Sequence, residues 1–247
     1  RITQLLLAAM NKKGRLPEKI YVSDSSADVL SALKQKFPQV ETAQGNNAGP
    51  ASCDLVFLAL HPPAIAPVLE EIKNVLKPSS VLISLAPKAT IGKMSQALGG
   101  FARIVRMIPN APSVINAGYN PVAFSAALAG DEKKDLLHFF KSFGDCPEVE
   151  EEKLEAYAIL AAMGPTYFWF QLQKLRELGG IFGLAAEETD KALYEMIKGA
   201  AKTLFKSGLS YERVVNLIPV KPLGEDEPGI LEIYENRLKG LYGKLKS

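Results

Sequence analysis

Cysteine and histidine are scarce: Cys53, Cys146, His61 and His138 are the whole supply in 247 residues. Two isolated cysteines make no disulfide scaffold, so a reducing, cytoplasmic setting is expected. Neither their spacing nor any His partner supports a metal site, and none is expected. An excess of one charge is also missing, since 29 basic residues against 27 acidic leave a net charge of +2. With no dense basic stripe either, nucleic acid and membrane surfaces are not expected partners. No apolar run approaches the roughly 20 residues that a bilayer requires. There is no signal-peptide pattern, internal repeat or low-complexity segment. No G-x-G-x-x-G occurs anywhere in the chain.

The chain does have a composition, 47% hydrophobic and 23% charged, that can bury a large core, and a length that allows two domains. Short apolar runs alternate with helical patterns through the first half. Lys19–Asp24, Asp54–Leu60, Ser80–Ala86 and Ile104–Ile108 read as strands. Between them lie helical patterns, one with Val29, Leu30, Leu33 and Phe37 on a single face and Ser25 or Ser26 as cap, another running from Ile65 to Leu76. Strand–helix alternation of this kind predicts an α/β, doubly wound Rossmann-type parallel sheet with right-handed crossovers. Ligands of such sheets bind beyond the carboxyl ends of the strands. Here those ends are Ser23-Asp24-Ser25, Ala59-Leu60-His61-Pro62, Ala86-Pro87 and Pro109-Asn110. In the corner Pro109-Asn110-Ala111-Pro112, two prolines fix the backbone around an amide side chain. The chain then turns at Ala117-Gly118-Tyr119 into a further β-rich run, Val122–Ser125.

A helix over Gly130–Phe143 and a short strand over Cys146–Val149 are expected next. Beyond Glu150 the pattern is helical to the end: a helix over Glu151–Ala162, another opening at Gly164-Pro165, and an apolar stripe of Leu193, Met196, Ile197, Ala200, Ala201 and Leu204. A boundary near residue 150 is therefore expected, with a nucleotide-binding domain over 1–150 and a helical dimerisation and substrate domain over 151–247. The chain begins on a helical pattern, Arg1–Met10, without a preceding strand. A dinucleotide site of this class needs a Gly-rich strand-to-helix turn, so a strand and Gly-x-Gly turn are expected upstream of Arg1.

Ala59-Leu60-His61-Pro62, Pro109-Asn110-Ala111-Pro112 and Gly164-Pro165-Thr166-Tyr167 occur in this order, and with them the chain resembles the pyrroline-5-carboxylate reductase family. Val149-Glu150-Glu151-Glu152 and Lys198-Gly199-Ala200-Ala201-Lys202 are similar to that family as well, and the resemblance extends from Arg1 to about Asn216. It implies NAD(P)H-dependent reduction of 1-pyrroline-5-carboxylate to proline. It also implies a homodimer or higher homo-oligomer formed through the C-terminal helices. The implied cofactor, NADP or NAD, would be held by Arg1 and Ile2 beside the glycine turn and by Asp24 and Ser25 at the adenosine ribose. Asn46 would lie toward the adenine, Leu60, His61 and Pro62 along the cofactor, Ala86 and Pro87 near the nicotinamide, and Asn110 and Asn216 close by. Glu151 and Asn110 are the candidate catalytic residues.

Two departures from the family pattern stand out. The serines that precede Gly-Pro in the family are Ala161 and Met163 here. The family's glycine-rich substrate loop is replaced by Ile218–Pro228, in which Glu225, Asp226 and Glu227 would repel a carboxylate. The alternatives are a member reducing a different small carboxylate and a non-catalytic nucleotide-binding dimer. Asp24 at the ribose would favour NAD, whereas Ser23, Ser25 and Ser26 could donate to a 2′-phosphate; the residues alone leave both open.

Overall fold

The structure, a computed structural model, describes residues 1–246. The chain forms two compact units, one of Arg1–Met163 with Leu241–Ser247 and the other of Gly164–Gly240. The first unit continues past residue 150, where the sequence places a boundary. The reason is physical: Leu154 and Ala158, just beyond that point, are buried against Ile108 and Ala123 of the sheet region.

In the first unit, helix α1 (Ile2–Lys12) buries Leu6, Leu7, Ala9 and Met10. Strand β1 (Tyr21–Asp24) is followed by α2 (Ala27–Lys36), which Ser26 caps by accepting the Val29 N–H. Of the four residues expected on the inner face of α2, Leu30, Leu33 and Phe37 are buried, but Val29 is exposed in the first turn. Strand β2 (Glu41–Gln44) pairs in parallel with β1. This strand has no sequence signature, because it is short, polar and largely exposed. After the single turn α3 (Ala48–Ala51) come β3 (Leu55–Leu58), α4 (Pro62–Ile72), β4 (Val81–Ser84), α5 (Ile91–Ala97) and β5 (Ile104–Met107). Strands β3, β4 and β5 are parallel neighbours, with Leu58 opposite Ser84 and Ser84 opposite Arg106. The apolar character of these strands follows from cover on both faces: Val56 and Leu82 face one cluster, Ile83 and Val105 the other.

The short strand β6 (Gly118–Tyr119) reverses the chain, and β7 (Val122–Phe124) pairs antiparallel with β5 at the sheet edge. Helix α6 (Gly130–Phe140) follows. The expected strand over Cys146–Val149 is displaced: β8 is Gly144–Asp145, parallel to β6, and only Glu148 bridges onward to Val122. The expected helix over Glu151–Ala162 is present but irregular. It begins as a 3₁₀ turn, becomes α-helical over Leu154–Tyr157 (α7) and ends as a π-helical turn over Ala158–Ala162.

The second unit contains α8 (Pro165–Ile181), α9 (Ala186–Lys206), α10 (Tyr211–Val215) and the first part of α11 (Glu227–Lys246). Helices α8 and α9 meet where Gly179 lies against Thr189, too close for a β-carbon at 179. Tyr167 and Tyr234 meet edge to face. The loop between α8 and α9 turns at Gly183, in the left-handed region at φ 90°.

The polar corner after β5 is held by a crossing of two backbones. A β-carbon at Gly118 would lie 2.6 Å from the Phe143 carbonyl and 2.7 Å from Asn120 Nδ2, and closer still to Ser113 Oγ. Gly118→Ala is therefore expected to cost about 1–3 kcal/mol, as overpacking in a rigid site does. Urea denaturation should show a lower midpoint with an unchanged slope.

Candidate active site at the strand ends

An arginine in the middle of a covered strand needs a counter-charge, and Arg106 of β5 has two. It is 1% exposed. Its Nη1 donates to Glu151 Oε1 at 3.0 Å and its Nη2 to Glu155 Oε1 at 2.7 Å. Its Nε is buried without a partner. The two carboxylates do more than neutralise Arg106. Glu151 Oε1 also accepts the Ile91 N–H at 2.7 Å, at the start of α5, and the Lys88 backbone helps stabilise the charged Glu155 carboxyl. The segment Pro87–Thr90, which carries the chain off the carboxyl end of β4, is thus closed at Ile91 by a carboxylate that is itself held by Arg106. Lys88 sits in the left-handed region at φ 71°, a conformation that non-glycine residues adopt at a cost.

Burial pushes the Glu155 carboxyl upward. The Arg106 hydrogen bond and charge, together with the backbone amides of Glu155 and Lys88, outweigh it and leave the group below the usual carboxylate range. Arg106 and Glu155 carry no motif and escape the motif reading. The available signal was the charge itself, one Arg within Ile104-Val105-Arg106-Met107-Ile108.

The next corner is equally fixed. Asn120 Oδ1 accepts the Asn110 N–H at 2.8 Å and the Ser113 hydroxyl at 3.0 Å, and Asn120 Nδ2 donates to the Phe143 carbonyl at 3.3 Å. Asn110 Nδ2 donates to the Ala161 carbonyl at 2.6 Å, inside the π-helical turn. Such turns recur at functional sites. Asn116, at φ 60°, donates to the carbonyls of Ala9 at 2.8 Å and Ser142 at 2.7 Å, which ties the C-terminal part of α1 to the same corner. Both candidate catalytic side chains are therefore already engaged, Glu151 by Arg106 and Ile91, and Asn110 by Ala161.

The remaining candidates fall into two groups. Parallel pairing of β3, β4 and β5 brings Leu60-His61-Pro62, Ala86-Pro87 and Asn110 to the same end of one sheet. His61 and Pro62 are exposed at the start of α4, while Ala86 is buried and Leu60 is partly buried. Pairing of β1 with β2 brings Asp24, Ser25 and Asn46 together: Gly45 N–H donates to the Asp24 carbonyl at 3.0 Å and Gln44 Nε2 to the Ser25 carbonyl at 3.1 Å. Asn46 Oδ1 accepts the Ala48 N–H at 3.1 Å. Arg1 precedes α1 as its uncapped first position, and Ile2 packs against the core. Asn216 ends α10 in the second unit.

These residues suit a dinucleotide chemically. Helix α1 has no acidic residue in its first turn and no side-chain cap, and Arg1 adds a cation there, a donor set suited to a pyrophosphate. Asp24 offers a carboxylate at the end of β1. Leu60, Ala86 and Pro87 give an apolar wall at the end of the sheet. Among the described residues no cluster of His, Cys, Asp and Glu could hold a metal ion, and no helix is long and apolar enough to cross a membrane.

Comparison with known proteins agrees with this architecture. Residues 1–88 match the family described as NADP oxidoreductase, coenzyme F420-dependent. Pyrroline-5-carboxylate reductase from Escherichia coli is 26% identical over 193 residues, 78% of this chain and 71% of that protein. The structure of a pyrroline-5-carboxylate reductase from Coxiella burnetii superposes with a TM-score of 0.69 at 28% identity, covering 99% of this chain and 90% of that one. The Plasmodium falciparum pyrroline carboxylate reductase, solved with NADP bound, gives a TM-score of 0.74 at 22% identity, covering 99% and 90%.

Removing Arg106 would leave two carboxylates facing each other in a buried site. Arg106→Met is expected to lower stability by about 3–5 kcal/mol, the cost of breaking a buried pair from one side, read by chemical denaturation. Because the Glu155 carboxyl is depressed in the folded state, its stabilisation is present at neutral pH and is lost as pH falls below the ordinary carboxylate range. Glu155→Gln should flatten the acid limb of a plot of melting temperature against pH.

Proposed function

We propose that this chain, which belongs to the pyrroline-5-carboxylate reductase family, is an NAD(P)H-dependent reductase that transfers a hydride to the cyclic imine of 1-pyrroline-5-carboxylate, giving proline. The observation that carries this reading is the set of rigid, polar and apolar corners at the strand ends of a Rossmann-type sheet, in a chain whose relatives bear that name. Reduced nicotinamide supplies the hydride. The protein's task is then positioning, which can account for much of the barrier in such a reaction. Arg1 and Ile2 at the start of α1 would receive the pyrophosphate, and Asp24, Ser25 and Asn46 the adenosine. Leu60, His61 and Pro62 would line the cofactor, with Ala86 and Pro87 against the nicotinamide. We assign Glu151 to holding the β4–α5 loop and Asn110 to fixing the β5 corner, since Glu151 Oε1 and Asn110 Nδ2 are already engaged. Neither is needed as a proton donor if the imine enters protonated.

A second reading, reduction of another small substrate or nucleotide binding without turnover, is favoured by the segment before α11. The N–H groups of Gly224, Asp226 and Glu227 are spent on turn hydrogen bonds to Lys221 and Leu223, so they offer little to a carboxylate. Glu225, Asp226 and Glu227 add negative charge to the same segment.

The second unit also supports a homo-oligomer. Phe168, Phe170, Ile181, Phe182 and Phe205 are 56–78% exposed in the single chain. Gly179 and Thr189 are the only buried residues of α8 and α9. Long helices stripped of a core of their own call for a partner surface, and we assign that role to the same helices of a second copy.

With the full-length protein, NADPH or NADH oxidation dependent on 1-pyrroline-5-carboxylate is the expected result, followed at the nicotinamide absorbance. Nucleotide binding with no turnover would reject the reductase reading for this substrate and leave the second one. Sedimentation across a range of concentrations should show a dimer or larger species, and a monomer throughout would reject the assembly.

A further inference from the structure

We infer that Asp24 is a specificity-determining residue and that the chain takes NADH in preference to NADPH. This rests on the proposed dinucleotide site and goes beyond it, because the two cofactors differ only by a phosphate on the adenosine ribose.

The β1–α2 turn is built around the Asp24 carboxylate. Oδ1 accepts the Ser26 N–H at 2.9 Å, which fixes the side chain at the end of the strand. Among the described residues Oδ2 has no hydrogen-bond partner. A fixed carboxylate with one free oxygen at this strand end is suited to accept hydrogen bonds from a ribose diol. It is equally placed to repel a doubly charged phosphate on the same ribose.

Nothing nearby offsets that repulsion. Among the described residues, no lysine or arginine occurs from Ile20 to Leu33 or from Phe37 to Ile72, which covers both strand ends, the turn after each, all of α3 and all of α2 but its last turn. The basic residues between those stretches are committed elsewhere. Lys34 Nζ donates to the Val40 carbonyl at 2.6 Å, and Lys36 Nζ to Gln4 Oε1 at 3.4 Å. Both belong to the last turn of α2, the end away from Asp24, and Gln35 lies between them. The first turn of α2 adds Asp28, a second negative charge.

The serines that could have received a phosphate are also accounted for. Ser26 Oγ accepts the Val29 N–H as the helix cap. Ser23 Oγ is buried. The Ser25 carbonyl is engaged by Gln44, and its hydroxyl is the one exposed donor that remains. One neutral hydroxyl does not balance the adjacent carboxylate. Arg1 is the remaining cation of the site, and at the start of α1 it belongs with the pyrophosphate that both cofactors share.

Direct titration of the full-length protein with NADH and with NADPH, followed by nicotinamide fluorescence, tests this without any substrate. NADH is expected to bind about tenfold more tightly or better, a difference of roughly 1.4 kcal/mol. The gap should shrink as salt is raised, since part of it is charge repulsion near solvent. Asp24→Asn removes the charge while its amide oxygen can still accept the Ser26 N–H, so the turn persists. It should narrow the gap chiefly by improving NADPH binding. Asp24→Asn with Ser25→Arg should reverse the preference, with circular dichroism confirming the fold of each variant. Equal or tighter binding of NADPH by the unaltered protein would overturn the inference, as would an unchanged ratio in Asp24→Asn. Binding of neither nucleotide would overturn both this inference and the reading it rests on. NADH binding without reduction of 1-pyrroline-5-carboxylate would leave the inference standing and remove only the substrate.

Discussion

The Arg106 guanidinium is the constraint on which the carboxyl ends of β4 and β5 depend. Burying a charge on a central strand is costly unless it is paired and hydrogen-bonded. The pairing comes from Glu151 and Glu155, which follow the sheet in sequence and lie across its end. Because Glu151 also takes the backbone amide of Ile91, one buried charge orders three segments: the strand that carries it, the end of the loop after β4 and the irregular helix around α7. Their attachment to the sheet is also why the first compact unit reaches Met163 instead of closing at residue 150.

Much of the sheet was legible in the sequence because its signals are local. Continuous apolar runs marked β3, β4 and β5, and proline and glycine marked their ends. Strand β2 was not legible, since Glu41-Thr42-Ala43-Gln44 has neither alternation nor bulk and pairs only through its backbone. The same holds for β6 and β8, two residues each, which depend on the close approach of Gly118 and Gly144. The helix over Glu151–Ala162 was legible as a helix but not as one that changes pitch. Its π-helical turn coincides with a tertiary hydrogen bond, from Asn110 to Ala161, between residues far apart in sequence.

The candidate site divides along the same line. Residues placed by strand topology, such as Leu60, Ala86 and Asn110, come together at one end of the sheet. What motif reading could not supply was how their polar atoms are already used. Asn110 and Glu151 looked like free functional groups because sequence names a side chain and says nothing of its partners. Asp24 and Ser26 illustrate the converse: one hydrogen bond shows which carboxylate oxygen is committed and which remains open.

Lys88 has a consequence for the order in which the molecule loosens. Its left-handed backbone adjoins the Glu155 carboxylate, whose charge acid removes, and the loop it belongs to ends at the Ile91 N–H held by Glu151. Regions with local strain and few restraints open at lower free energy than the core around them. The segment from Pro87 to Thr90 is thus a weak point set against one of the most deeply buried strands in the protein. Acid strong enough to protonate Glu155, below the ordinary carboxylate range, would free its amides to exchange with solvent while β4 and β5 stay closed, so that this loop would come apart before the sheet does.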